Sequence, residues 1–169
     1  AMASVFSDES FIRPTYSGTG EIHLEGSLGG CHVVDLNDES WILESGAYWA
    51  SDGSIDVSIF REKVSTAFWT GEGLVQFRTK VRGTGKVIVR TDGPIEEIEL
   101  NSGRYLAESK IVIGRTGNIT YTLQRPTRTF LGYLMAGESY LRCYEGSGRL
   151  LVCSTPYWRV QFQKAMRHP

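Results

Sequence analysis

The stretches Gly18–Gly26, "GTGEIHLEG", and Gly83–Thr91, "GTGKVIVRT", open with the same Gly-Thr-Gly and run on into the same apolar alternation, 65 positions apart. The likeness continues downstream. With one deletion allowed, "DLNDESWILES" at Asp35–Ser45 falls on "ELNSGRYLAES" at Glu99–Ser109, and "GSIDVSI" at Gly53–Ile59 falls on "GNITYTL" at Gly117–Leu123. A further copy starts where "GEGLVQF" at Gly71 matches "GESYLRC" at Gly137, and "GTGKVIV" at Gly83 matches "GSGRLLV" at Gly146. The chain therefore reads as internal repeats over about 8–70 and 71–136 with a partial one at 137–169. Glycine paired around one residue supplies positions open to positive φ, as tight hairpins and bulges demand. The "LN" followed by "DE" or "SG" is also turn chemistry.

Around these glycines the sequence is rich in short β-forming runs. "EIHLEG", "SIDVSIF", "LVQFRTKV", "KVIVRT", "IEEIEL", "NITYTLQ", "YLRCYE" and "RLLVCS" carry Val, Ile, Tyr, Phe and Leu, several in period-two alternation, between Gly, Asn, Asp and Ser. The fold class expected is all-β, built of repeated antiparallel units. Helical periodicity is confined to "EKVSTAFWT" at Glu62–Thr70 and "TRTFLGYLMA" at Thr127–Ala136, both too short to be principal elements.

At 169 residues and 41% hydrophobic content the chain can bury a core of its own, and one domain over 4–169 is expected, with 1–3 read as a cloning remnant. Neither a secretory leader nor a long apolar span is evident, so a soluble, intracellular, cytoplasmic protein is expected, mitochondrial if the source is eukaryotic. Cys31, Cys143 and Cys153 are an odd set, which favours reduced, buried thiols. Cys143 and Cys153 flank "EGSG", and if that is a hairpin a disulfide between them is geometrically allowed.

"LNDESWILESGAYWASDGSIDVSI", "REKVSTAFWTGEGLVQFRTKVRGTGKVIV" and "RPTRTFLGYLMAGESYLRCYEGSGRLLVCSTPYW" together resemble the family named for altered inheritance of mitochondria, the mitochondrial biogenesis proteins and their bacterial relatives. The "G-E-G" before a strand, the "G-x-G" after it and the late "G-R-x-x-V-x-S" carry the resemblance, which covers about Phe11 to Phe162. It implies a fold similar to that of the tryptophan RNA-binding attenuation protein, TRAP-like, a β-sandwich or double-stranded β-helix with pseudo-threefold arrangement and frequent trimerisation. It implies no established activity.

The residues themselves argue against catalysis. G-x-S-x-G and a Walker loop are absent, and the Gly-Thr-Gly stretches lack the third glycine and helix of a dinucleotide fingerprint. His23, His32 and His168 show no metal spacing, and the neighbours Cys31 and His32 point to opposite faces of a strand. No cofactor or metal is expected. Charge, in contrast, is uneven: residues 1–103 hold 16 acidic and 8 basic side chains, and 104–169 hold 3 and 10. Pairing of one end with the other across the fold is the favoured reading. A surface for RNA or another anion is the alternative, using Arg125, Arg128 and Arg159 with Tyr157 and Trp158. Trp49 and Trp69, with Phe68, Phe130 and Tyr133, lie between the repeat halves as either interface aromatics or caps on the barrel ends. The function expected is a non-catalytic, homo-oligomeric β-scaffold or binding module, a trimer favoured, with an anionic-surface binder second and an enzyme or small-molecule binder third.

Overall fold

The structure, a computed structural model, describes residues 14–24, 29–66, 74–108, 111–124, 141–154 and 166, with backbone alone at 63–66, 74–75 and 108. Eight strands are formed: β1 (Cys31–Leu43), β2 (Tyr48–Ser51), β3 (Asp56–Thr66), β4 (Leu74–Arg90), β5 (Ile95–Glu108), β6 (Val112–Thr116), β7 (Thr120–Gln124) and β8 (Leu141–Cys153). The all-β class stands.

β4 is the axis of the first four strands. One of its edges is taken along nearly its whole length by β1, antiparallel from Cys31↔Arg90 to Leu43↔Thr79. The other edge is shared: β3 pairs with its first half, from Asp56↔Arg82 to Val64↔Leu74, and β2 with its second, from Tyr48↔Val89 to Ser51↔Val87. β8 is treated likewise. β5 runs along one edge from Ile95↔Cys153 to Glu108↔Leu141, while β7 takes the first half of the other edge and β6 the second. The two sets are joined by β1 to β6, antiparallel at Trp41↔Thr116 through Leu43↔Gly114, and by β3 to β7, parallel at Ser65↔Thr122 and Thr66↔Leu123. The strand path β1-β6-β8-β7-β3-β4 thus returns to β1.

The glycines sit where β4 and β8 change partner. Gly83 and Gly85 take φ of 138° and 146°, and Gly146 and Gly148 take 135° and 150°, values that side chains resist. They are mid-strand, not in hairpin turns. The expected pairs "LVQFRTKV" with "KVIVRT", and "YLRCYE" with "RLLVCS", are each one continuous strand, because the residues on either side stay paired to β1 or β5 throughout. The turn from β2 to β3 crosses over the first pair of glycines. It is closed by Ile55 N donating to Asp52 O at 3.1 Å, and a Cβ on Gly83 would stand 2.9 Å from Ser54 O. The turn from β6 to β7, closed by Ile119 N to Thr116 O at 3.1 Å, crosses the second pair, and a Cβ on Gly146 would stand 2.9 Å from Asn118 O. The residue between each pair of glycines is a hydroxyl for a reason. Thr84 Oγ1 accepts from Asp38 N at 3.0 Å and Ser147 Oγ from Ser102 N at 2.8 Å. Asp38 (φ 51°) and Ser102 (φ 53°) are the left-handed residues of the "LN" segments, which are β-bulges: the register slips between Leu36 and Glu39, and between Leu100 and Gly103.

Three other expectations are corrected. Glu21–Leu24 of "EIHLEG" forms no strand, having no described neighbour to pair with. Glu62–Thr66 of the first helix candidate lies in β3, where pairing with β4 and the β-branched Val64 and Thr66 override a helical period of barely two turns. The rest of that candidate and all of Thr127–Ala136 lie outside the described residues. Cys143 and Cys153 are near opposite ends of β8 and do not face each other across a hairpin; no disulfide joins the cysteines, and Cys143 and Cys153 are buried as expected while Cys31 is exposed.

Two apolar clusters fill the interior. One gathers Val34, Trp41, Leu43, Ile55, Val81, Val87 and Val89, and the other Ala107, Ile119, Tyr121, Tyr144, Leu150 and Val152; Leu151 of β8 packs into the first and ties the halves. Gly83→Ala or Gly146→Ala is expected to cost about 1–3 kcal/mol, from positive φ and backbone contact together, in urea unfolding. Gly18→Ala, at φ 142° but with no atom where its Cβ would stand, is expected to cost about 1 kcal/mol, from the positive φ alone.

Candidate functional site

Where the two sets of strands meet, the interior is not apolar. The turn after β1 brings in Glu44, whose N donates to Ile113 O at 2.9 Å, and β3 contributes Glu62. β4 contributes Arg78, β6 Arg115, β7 Tyr121, and β8 Arg142 and Tyr144. Inward alternation on each strand aims these side chains into one space.

Arg78 is the hub. Its Nε donates to Glu62 Oε2 at 2.7 Å and its Nη2 to Gln76 Oε1 at 2.6 Å, while Nη1 pairs with Glu44. Arg115 Nη2 donates to the other oxygen of Glu62, and Arg142 Nη1 donates to Glu44 Oε1 at 2.9 Å. The Tyr121 ring lies among the cations, with the guanidinium carbons of Arg78, Arg142 and Arg115 at 5.2, 5.8 and 6.0 Å from its centroid, and Tyr144 packs on it at 5.3 Å. Arg78, Arg115 and Glu62 are buried. Burial alone would lower the Arg78 pKa, but Glu44 and Glu62 beside it hold it above the usual arginine value. Burial pushes the Tyr144 hydroxyl well above the usual phenol range, and that of Tyr121 upward too, so both are neutral donors at ordinary pH.

A second, outer network crosses the same junction. Arg149 donates to Glu39 Oε2 at 2.7 Å and to Glu97 Oε2 at 3.4 Å, its guanidinium lies 5.1 Å from the Trp41 ring centroid, and His32 Nε2 is 3.1 Å from Glu97 Oε1. Three arginines of the basic end, Arg115, Arg142 and Arg149, thus pair with glutamates of the acidic end, as the charge distribution favours.

Of the residues singled out in the sequence, Trp49 is half-buried on β2, with the Arg90 guanidinium 4.3 Å from its ring centroid. Arg125, Arg128, Tyr157, Trp158, Arg159 and Trp69 lie outside the described residues, as do Phe68, Phe130, Tyr133 and His168. Sequence reading missed Glu62 and Arg78 altogether. The signal was a charge at the centre of the apolar runs "DVSIFREKV" and "LVQFRTKV", which marks a buried ion pair once both are read as paired strands. Among the described residues no three His, Cys, Asp or Glu side chains gather as a metal site, and no helix is long and apolar enough to cross a membrane.

The family model described as mitochondrial biogenesis AIM24 matches residues 1–155. The chain belongs to the AIM24 family. It is similar to an uncharacterised protein of Streptococcus pyogenes serotype M6, 26% identical over 154 residues, which are 89% of this chain and 61% of that one. It is also similar in fold to a Streptococcus pyogenes protein of known crystal structure, with a TM-score of 0.61 at 21% identity over 83% of this chain and 60% of the other. This AIM24 chain therefore spans about three-fifths of the length of each of these relatives.

Glu62→Gln, which leaves Arg78 and Arg115 buried without their shared carboxylate, is expected to cost about 3–5 kcal/mol in urea unfolding. The Tyr144 hydroxyl sets the alkaline limit. Its pKa is raised in the fold, so its contribution is complete below about pH 10 and is lost as pH rises beyond that, where the unfolded chain gives up a proton that the fold retains. Unfolding free energy is expected to fall above about pH 10 by roughly 1.4 kcal/mol per pH unit for each such tyrosine, and Tyr144→Phe to remove one proton's worth of that slope.

Proposed function

We propose that the chain is a non-catalytic β-scaffold that assembles with copies of itself by strand pairing, as a homotrimer. The observation that carries this reading is an apolar, strand-patterned segment that belongs to no sheet. On the repeat of about 65 residues, Gly18 and Gly20 correspond to Gly83 and Gly85, and they adopt the same backbone, φ 142° and 151°. Tyr16, Ile22 and Leu24 then correspond to Val81, Val87 and Val89 of β4, and to Tyr144, Leu150 and Val152 of β8, all buried. Tyr16, Ile22 and Leu24 are instead 66%, 54% and 43% exposed. Residues 14–24 carry the glycine φ values and the apolar spacing of β4 but are in no strand, and their apolar face lies uncovered.

The complement is a sheet edge without a strand. β1 has β4 on one edge and β6 on the other, where Ile42 is 6% exposed. β5 has β8 on one edge, and among the described residues nothing pairs with the other; Leu106, at the position of Ile42, is 48% exposed. An open edge and an unpaired apolar segment on one molecule suit a head-to-tail contact between copies, which closes as a ring when the rotation allows. The resemblance to the AIM24 family, which implies frequent trimerisation, supports three as the number. A catalytic reading would need convergent polar groups facing an open cleft, whereas the polar groups gathered here are enclosed and committed largely to one another.

Light scattering on a sizing column is expected to give three times the chain mass at micromolar concentration. Leu106→Asp, on the open edge and away from the core, is expected to give a folded monomer; a wild-type monomer would refute the scaffold reading.

A further inference from the structure

The buried cluster has more cation than carboxylate. Arg78, Arg115 and Arg142 face Glu44 and Glu62, so the cluster's formal charge is +1 among the described residues. Its donors are in excess as well. Arg115 is 4% exposed, yet its Nη1 has no hydrogen-bond partner, nor has the buried Tyr121 hydroxyl, and the Tyr144 hydroxyl, which lies against Arg142, has no acceptor for its own proton. A buried guanidinium N–H without an acceptor and a net buried charge are each costly, and one bound anion removes both costs.

There is a place for it. Ile42, Glu44, Arg78, Val112, Gly114, Arg115 and Tyr144 line a cavity of about 10 Å³, room for the centre of one water-sized body. A chloride, somewhat larger than water, fits there once the lining side chains give by a few tenths of an ångström, whereas phosphate, sulfate and a carboxylic acid are far too large. The lining supplies the Arg115 guanidinium and the Tyr144 hydroxyl as donors, while Ile42 and Val112 exclude water from one side. Glu44 is the one anion on the wall. Its Oε1 accepts from both Arg78 and Arg142, so its charge is spent on them.

We infer that this cavity at the junction of β1, β4, β6 and β8 is a halide site, holding one chloride against Arg115 and Tyr144 as a structural counter-ion between the two sets of strands. The site is separate from the open strand edges, so it stands whether or not the chain forms a trimer. A neutral water, the other occupant of the right size, would satisfy a donor but leave the positive charge uncompensated.

Bromide is the probe. Crystals of the full chain grown or soaked in sodium bromide are expected to show an anomalous peak within about 3.5 Å of Arg115 Nη1, in the typical range of a charge-assisted contact to a large anion. In solution, replacing sodium gluconate with sodium chloride or bromide at constant ionic strength is expected to raise the melting midpoint by about 3 °C or more at saturating halide. Tyr144→Phe keeps the ring and removes one donor, and is expected to at least halve that rise. Ordered water at the cavity with no anomalous signal, bromide at surface positions only, or identical melting in the two salts would each overturn the proposal.

Discussion

The constraint on which the structure depends is the close approach of a turn to a strand at Gly83–Gly85, and again at Gly146–Gly148. A strand edge that serves one partner must be released before it can serve the next. β4 hands its edge from β3 to β2 over the four residues 83–86, and the chain between those two partners has to cross β4 where the exchange occurs. Only residues without Cβ and with access to positive φ allow the crossing turn to sit down: Ser54 O and Asn118 O occupy the space a side chain would need. The crossing is then tied in place. Asp52 Oδ2 accepts from Lys86 N at 2.7 Å and Ser54 Oγ donates to Thr84 O at 2.8 Å. At the second crossing Thr116 Oγ1 accepts from Arg149 N at 3.2 Å.

The rest follows from how these four-stranded sets meet. Because β2 and β3 share one edge of β4, and β6 and β7 share one edge of β8, each set presents its long strand, β1 or β5, on the outside. β1 accepts β6 from the other set, and β3 lies against β7. This junction brings the inward side chains of five strands to one point, and there the interior turns polar. The Arg–Glu–Tyr cluster is weak evidence for net stability, since apolar residues of the same volume pack at no desolvation cost. It also constrains alignment: Glu62 bridges Arg78 and Arg115, and Glu44 bridges Arg78 and Arg142, so a slip of one set past the other would separate Arg115 from Glu62 and Arg142 from Glu44.

Much of this was legible in the sequence. The all-β class followed from period-two runs, and the family from glycine and strand patterns spread along the chain. At "LND" and "LNS" the left-handed backbone was legible at Asp38 and Ser102, but it forms bulges within β1 and β5 and not the turns expected. What misled was the local meaning of Gly-x-Gly. In a short window such glycines read as hairpin turns, and the distinction between a turn and a strand crossed by a turn depends on Ser54 or Asn118, some 30 residues away. Glu62 and Arg78 stayed hidden because their pairing needs the β3–β4 register, which no window contains. The charge asymmetry of the two ends was visible, and it became informative once Arg115, Arg142 and Arg149 were found against Glu62, Glu44 and Glu39.

An unpaired apolar segment at residues 14–24 and an open β5 edge in one molecule are the central claim's two halves, and amide hydrogen exchange reads both at once. In the native protein, strand pairing between copies predicts that amides of 14–24 and of the outer edge at 104–107 exchange as slowly as those of the β1–β4 ladder. Exchange of 14–24 at the rate of an unstructured chain, with β1 and β4 protected, would contradict it.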